Sequence, residues 1–106
     1  MTKYMQKAKP HYKLADIKEL INDGDYIITR TAVENARNDF NIKSTDIQLY
    51  IAQLDNTHFY KSMTCDSNNK IWQDVYHLPI KSNAEAYIKL QISLDNKSVI
   101  IQFKRK

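Results

Sequence analysis

FYKSMTCDSNNKIWQDVY, residues 59–76, is the stretch on which the fold turns. Its two ends, FYKSMT (59–64) and IWQDVY (71–76), are rich in the aromatic and β-branched side chains that suit a pleated, half-buried surface. Between them the polar run 65–70, Cys-Asp-Ser-Asn-Asn-Lys, predicts a β-hairpin with a loop of six residues. A purely structural hairpin would fill its faces with apolar or neutral side chains. This one sets Lys61 and Gln73 among aromatics, beside Asp74 and Tyr76.

Downstream of the hairpin the pattern keeps a period of two, and the strands are expected at 58–64, 71–77, 84–94 and 97–104. In the third of these, Ala86, Ile88, Leu90, Ile92 and Leu94 alternate with Glu85, Tyr87, Lys89, Gln91 and Ser93, one face for a core and one polar. Asp95-Asn96 makes a turn. In the last strand Val99, Ile101 and Phe103 are expected in the core, with Ser98, Ile100, Gln102 and Lys104 opposite. Upstream, the period is helical. Leu14, Ile17, Leu20 and Ile21 share one face of a helix over 14–22, which Asp23-Gly24 stops. Tyr26-Ile27-Ile28 reads as a short strand. Thr29 is placed to cap a helix over 30–40 with Ala32, Val33, Ala36 and Phe40 as its stripe. Ser44 or Thr45 is placed to cap a third helix reaching Leu54, burying Ile47, Leu49, Tyr50, Ile51 and Leu54. Residues 1–12 read as a flexible arm ending at Pro10-His11, because the residue before a proline avoids the α region. The expected architecture is α+β, a single domain over residues 1–106, with N-terminal helices packed on one face of a C-terminal antiparallel sheet.

A chain of 106 residues suffices for one core. It has no apolar run of about 18 residues, so no membrane helix is expected. Its basic first residues lack the apolar stretch of a secretory signal. The lone Cys65 cannot close an internal disulfide, which favours a reducing, cytoplasmic setting. The net charge of +4 is uneven. Residues 1–13 hold four Lys and no acid; residues 14–56 hold four basic side chains against eight acids; residues 57–106 hold eight against four. A basic half that also carries aromatics points towards nucleic acid more strongly than overall charge does.

Alternation puts Tyr87 and Lys104 on the face opposite the core. Lys61 and Gln73 could join them, although their own strands are apolar on both sides and parity leaves the matter open. Two ammoniums, an amide and a phenol suit an RNA phosphate. The sequence has no Cys/His cluster and its C-terminal acids are scattered, so neither a metal site nor a cofactor is expected. The alternative is attack by the ribose 2′-hydroxyl on the adjacent phosphate, which needs a base, an acid and cations for the developing charge. Lys and Tyr ordinarily titrate near 10, so at neutral pH a lysine that stays charged contributes mainly through electrostatics. Plainer readings stand beside these: Lys61 and Gln73 as solvated strand residues, Trp72 as a core aromatic, Lys104-Arg105-Lys106 as a solubilising tail. His11, His58 and His77 share no motif spacing, and of the three only His77 is kept as an RNA contact.

From Pro10 onward the chain resembles the MqsR family of bacterial ribonuclease toxins. The resemblance rests on Pro10-His11, Leu14-x-x-Ile17-Lys18, Thr29-Arg30-Thr31-Ala32, FYKSMT, IWQDVY, Tyr87-Ile88-Lys89 and Phe103-Lys104. It implies a RelE-like fold and a metal-independent, sequence-selective mRNA endonuclease that arrests translation. By position it assigns Lys61, Gln73, Tyr87 and Lys104 to catalysis; Tyr60, His77, Lys89, Arg105 and Lys106 are expected beside them as further RNA contacts. It implies mRNA as substrate and a cognate antitoxin with zinc-binding and helix-turn-helix regions, in a complex that could be a heterotetramer. Promoter DNA would be reached only through that antitoxin, the ribosome is a further candidate partner, and no membrane is involved. The chain departs from the family in a longer arm, in His77 where an arginine is common, and in a longer 80–85 segment. A non-catalytic RNA-binding regulator on the same fold is the competing reading.

Overall fold

The computed structural model describes residues 5–65 and 68–106. Along the chain these form β1 (Gln6–Lys7), α1 (Leu14–Asn22), β2 (Tyr26–Ile28), α2 (Arg30–Phe40), α3 (Ile47–Ile51), β3 (Phe59–Cys65), β4 (Asn68–Lys81), β5 (Ala84–Ile92) and β6 (Ser98–Arg105). Local chemistry sets the helix ends. Gly24, at φ 83°, lets the Gly24 and Asp25 N–H groups turn back onto Ile21 O and Leu20 O, which closes α1. Thr29 Oγ1 accepts from Ala32 N at 3.1 Å to start α2, and Asn41 ends it in the left-handed region. The third helix is shorter than the sequence predicts. Ser44 and Thr45 lie inside a 3-10 turn, Ser44–Asp46, rather than capping α3. Ile47, Ile51 and Leu54 are buried as expected, but Leu49 faces outward at 57% exposure.

The strands form one sheet in the order β1-β3-β4-β5-β6-β2. The pairings from β1 through β6 are antiparallel, whereas β2 runs parallel to β6, with Tyr26 opposite Ser98 and Ile28 opposite Ile100. The expected antiparallel sheet is therefore mixed. Three residues with the right propensity announce a strand but not its partner. The expected hairpin loop also contracts: Cys65 pairs with Asn68, and the remaining loop residues Asp66 and Ser67 lie outside the described residues.

Of the segment read as an arm, residues 1–4 lie outside the described residues, residues 5–7 run along the outer edge of β3, and His11 and Tyr12 are held on β4. Gln6 and Lys7 pair with Met63 and Ser62, and Met5 exchanges hydrogen bonds with Thr64. At the other side of the sheet, beyond the end of β2, α2 lies along β6. Thr29 donates to Ile101 O, Asn35 donates to Gln102 Oε1, and the Asp39 carboxylate accepts from Arg105 N. Thr29 and Asp39 thereby satisfy backbone groups on a strand edge that would otherwise be bare.

The core joins Leu14, Ile17, Ala32, Ala36, Phe40, Ile47, Ile51 and Leu54 to Tyr76, Leu78, Ala84, Ala86, Ile88, Leu90, Ile100 and Phe103. Two sequence expectations fail here. Leu94 is fully exposed, because β5 ends at Ile92 and Ser93 to Lys97 turn on the Ser93 N–H to Lys97 O bond. In β6 the core position is Ile100, not Ile101 or Val99. Lys89 pairs with Gln102 but Leu90 pairs with Ile100, so a bulge at Ile101 shifts the alternation and returns Phe103 to the core. Among the described residues no helix is long and apolar enough to cross a membrane.

Candidate functional site

Sheet register stacks the side chains that point away from the core into rows. One row runs His77, Tyr87, Lys104; the next runs Lys61, Val75, Lys89, Gln102; the third runs Met63, Gln73, Gln91, Val99. Lys61, Gln73, Tyr87 and Lys104 alternate with the core residues of their strands and so share this face. With strands about 4.8 Å apart and rows about 7 Å apart, the four span a patch of roughly 14 Å by 14 Å. Tyr87 and Lys104 are direct cross-strand partners. The shared face holds even though the Val99 and Ile101 assignments do not, because the bulge at Ile101 comes before Lys104.

A second irregularity aims Lys61. Phe59 pairs with Tyr76 and Lys61 with Val75, leaving Tyr60 as an extra residue. The Tyr60 ring stacks on His77 at 4.3 Å, and His77 lies 6.0 Å from Tyr87. Lysines sit over this aromatic ladder: Lys61 Nζ is 5.5 Å from the Tyr60 centroid, and Lys104 and Lys89 are 5.3 and 5.9 Å from that of Tyr87. Burial and then the Lys106 charge hold His77 below the usual 6.5, with Lys61 pulling the same way and Glu85 opposing. Gln73, only 8% exposed, donates through Nε2 to Gln91 Oε1 at 2.9 Å, which fixes its amide plane. Gln91 went unnoticed in sequence; its place in the polar half of the β5 alternation was the available signal.

The remaining candidates fall in different places. Tyr60, His77 and Lys89 lie beside the four. Lys106 is held by Glu85, through Lys106 N to Glu85 O at 2.8 Å and Nζ to Oε1 at 3.3 Å. Arg105 pairs in register with Ala86 and so has the parity opposite to Lys104. His58 is structural, its Nδ1 accepting from Asp55 N across a 3-10 turn. Trp72 is half-buried beneath His11, stacked at 5.4 Å, with Lys7 Nζ 4.1 Å from its centroid.

Asp74 is the residue whose role the sequence concealed. It is fully buried on the core side of β4, next to Gln73, and no cation pairs with it among the described residues. Instead His11 N donates to both carboxylate oxygens at 3.0 Å and Tyr12 N to Oδ2 at 2.9 Å. Tyr12 Oη also donates to Trp72 O at 2.7 Å. The segment before α1 is thereby bolted to the strand that carries Gln73. Tyr76, in the same parity, is a poor proton carrier: burial, then the charge of Asp74, pushes its phenol up to about 12.

The face can do anion chemistry. It offers ammoniums, a phenol and an oriented amide over several strands, and a phosphodiester needs such a flat cationic surface more than an enclosed cavity. Roomy grooves lie elsewhere. One of about 850 Å³ between α1 and α3 is lined by Lys18, Ile21, Tyr26, Gln48 and Leu49 and includes none of the four. Among the described residues no group of three or more His, Cys, Asp or Glu side chains gathers as metal ligands would.

Residues 9–105 match the sequence profile of the family described as "Motility quorum-sensing regulator, toxin of MqsA". The chain belongs to the MqsR toxin family. It is 36% identical over 102 residues to the mRNA interferase toxin MqsR of Escherichia coli strain K12, covering 96% of this chain and 100% of that protein. The MqsR match takes in the four patch residues, Asp74 and the His11-Tyr12 anchor. Strand β1, at residues 6 and 7, precedes it.

Proposed function

We propose that this protein is the toxin of a type II toxin–antitoxin system, an endoribonuclease that cuts mRNA at selected sequences without a metal and so arrests translation. The observation that carries this reading is family membership over nearly the whole chain, with Lys61, Gln73, Tyr87 and Lys104 sharing one cationic face. In the reaction the ribose 2′-oxygen attacks the adjacent phosphorus, the bond from phosphorus to the 5′-oxygen breaks, and a 2′,3′-cyclic phosphate forms. The 2′-hydroxyl proton is taken up, and a proton reaches the departing 5′-oxygen. Lys61 and Lys104 approach from the β3 and β6 sides and stabilise the dianionic phosphorane; Gln73 orients the ribose or a phosphate oxygen; the Tyr87 hydroxyl exchanges a proton with the reacting oxygens. Charge stabilisation carries most of the effect, because both lysines lie on the face that the phosphodiester would cover. Tyr60, His77 and Lys89 contact the neighbouring nucleotide.

The same reading gives the protein a RelE-like arrangement, helices on one side of the sheet and RNA on the other, and a cytoplasmic place of action. A cognate antitoxin holds it inactive; the family description, which reads "toxin of MqsA", supports a dedicated partner of this kind. We carry over from the resemblance an antitoxin with zinc-binding and helix-turn-helix regions, through which alone promoter DNA is reached.

The test is incubation of purified protein with a defined mRNA in EDTA, followed by mapping of the ends. Discrete cuts with 2′,3′-cyclic or 3′-phosphate and 5′-hydroxyl ends, absent with Lys61→Ala, are expected. Binding without cutting, unchanged by added ribosomes, would replace this reading with that of a non-catalytic RNA-binding regulator.

A further inference from the structure

The register that gathers the lysines leaves the neighbouring row of the same face without charge. From edge to edge that row runs Gln6, Met63, Gln73, Gln91, Val99, Ile27. Lys61 and Lys89 sit two residues along their strands from Met63 and Gln91, about 7 Å away. A phosphodiester belongs with the lysines, since a neutral row offers nothing to balance its charge. A base is different: it is uncharged, has apolar faces and carries donors and acceptors on its edge. A base attached to a phosphate on the lysine row can reach the neutral row beside it. Within the neutral row one hydrogen bond sets the polarity. Gln73 Nε2 donates to Gln91 Oε1 at 2.9 Å, which occupies the Gln91 carbonyl and leaves its NH₂ group to donate elsewhere. Gln91 is half-buried, with Gln73 opposite it on β4 and Val99 opposite it on β6. Gln102, in the lysine row, is tied into the frame instead: its Oε1 accepts from Asn35 Nδ2 at 2.8 Å and from Phe103 N at 3.1 Å.

We infer that Gln91 is a specificity-determining residue, donating through Nε2 to an acceptor on the edge of the base beside the scissile phosphate, with Val99 against the ring. The inference rests on the ribonuclease reading above and names the residue through which the enzyme selects where to cut. Gln91 takes no part in bond breaking.

The experiment measures kcat/KM for wild type, Gln91→Leu and Gln91→Glu on single-site RNAs that differ only in the base on the 5′ or the 3′ side of the cut. Ratios between bases within one variant are the readout, because a change in charge or in the placement of Gln73 scales every RNA alike. Gln91→Leu fills the place without a hydrogen bond. Gln91→Glu still accepts from Gln73 Nε2 but presents an acceptor where Gln91 presents a donor. At one of the two positions Gln91→Leu should shrink the wild-type preference between best and worst base by roughly 3- to 10-fold, the worth of one hydrogen bond. At that same position Gln91→Glu should reorder the bases towards those with a donor on the edge. Ratios at the other position should stay as in wild type. The inference is overturned if both variants keep the wild-type ratios at both positions, however slowly they cut: Gln91 would then only hold Gln73. It is equally overturned if wild type shows no preference at either position, or if the ratios at both positions change together. If wild type cuts none of these RNAs, the ribonuclease reading fails. The same variants and RNAs, followed by fluorescence anisotropy, then decide base reading by ratios of Kd.

Discussion

Replacing Asp74 by asparagine keeps the shape of the side chain and removes the charge on which the His11 and Tyr12 amides converge. One carboxylate oxygen becomes an NH₂ group. His11 N can still donate to the remaining Oδ1, while Tyr12 N, which donates to Oδ2 at 2.9 Å, now faces another donor. A hydrogen bond to a charged acceptor is worth about 1.5–3 kcal/mol, and a buried donor left unpaired costs about 1–3 kcal/mol. The substitution should therefore cost about 2–4 kcal/mol, a large share of the roughly 5–15 kcal/mol that holds a domain together. At about 4–8 °C per kcal/mol for a domain near this size, the melting midpoint should fall by roughly 10 °C or more if unfolding remains all-or-none. The anchor can also release locally. In that case the cost is capped at the docking energy of residues 5–12: the β1 pairing, the His11–Trp72 stack, the Lys7 contact and the Tyr12 to Trp72 bond. The assay is a thermal melt beside hydrogen exchange resolved to His11, Tyr12 and β3. Either the midpoint drops or the amides of 6–12 and their β3 partners lose protection. A variant that keeps both its wild-type midpoint and its protection at His11 and Tyr12 would refute the assignment of Asp74 as the anchor.

Lys61→Ala and Tyr87→Phe should each slow RNA cleavage by about 100-fold or more while the melting midpoint stays near wild type; cleavage at the wild-type rate by both would dismantle the site assignment. His77 is held below its usual 6.5, so it is largely neutral at neutral pH and the unfolded chain binds its proton more readily. Its contribution to stability is therefore complete above pH 6.5 and is lost as pH falls through the lower folded value. A phosphate beside it favours the imidazolium, so RNA affinity should rise as pH drops through the histidine range, and binding titrations with His77→Gln should show a flatter profile. Gly24→Ala meets nothing within 4 Å of the new Cβ, yet forces a side-chain-bearing residue to φ 83°. It should cost about 1–2 kcal/mol, read as a lower melting midpoint with unchanged RNA cleavage.

What the sequence disclosed and what it hid divide along a physical line. Interactions within one element, or between residues a few positions apart, were legible: the Thr29 cap, the Gly24 stop, and the alternation from Ala84 to Leu90. Events that depend on a partner strand were not. The extra residues Tyr60 and Ile101 leave no local mark, because a bulge is a mismatch in count between two strands. Tyr26–Ile28 looked like a strand but gave no hint of lying parallel to β6. Asp74 was visible as an acid in the hexapeptide IWQDVY, but its donors are the amides of His11 and Tyr12, 63 and 62 positions away. The candidate site was half legible for the same reason. Tyr87 and Lys104 follow from alternation, whereas Lys61 and Gln73 required the register of β3 on β4 and of β4 on β5.

The bulge in β6 also marks where this chain can change length. Between Ile100 in the core and Phe103 in the core lie two residues where plain alternation allows one. Ile101 is the surplus one. Deleting it would leave Ile100 opposite Leu90, Gln102 opposite Lys89, Phe103 opposite Ile88 and Lys104 opposite Tyr87, the register of an unbulged strand. What the deletion takes away is the extra bend of the bulge and the Ile101 carbonyl that accepts from Thr29 at the start of α2. A deletion between Ala86 and Leu90, where the pairing carries no surplus residue, would instead put core and open-face side chains out of step. The bulge is thus the one stretch of this β5–β6 pair in which a residue can be lost without moving Lys104 from Tyr87.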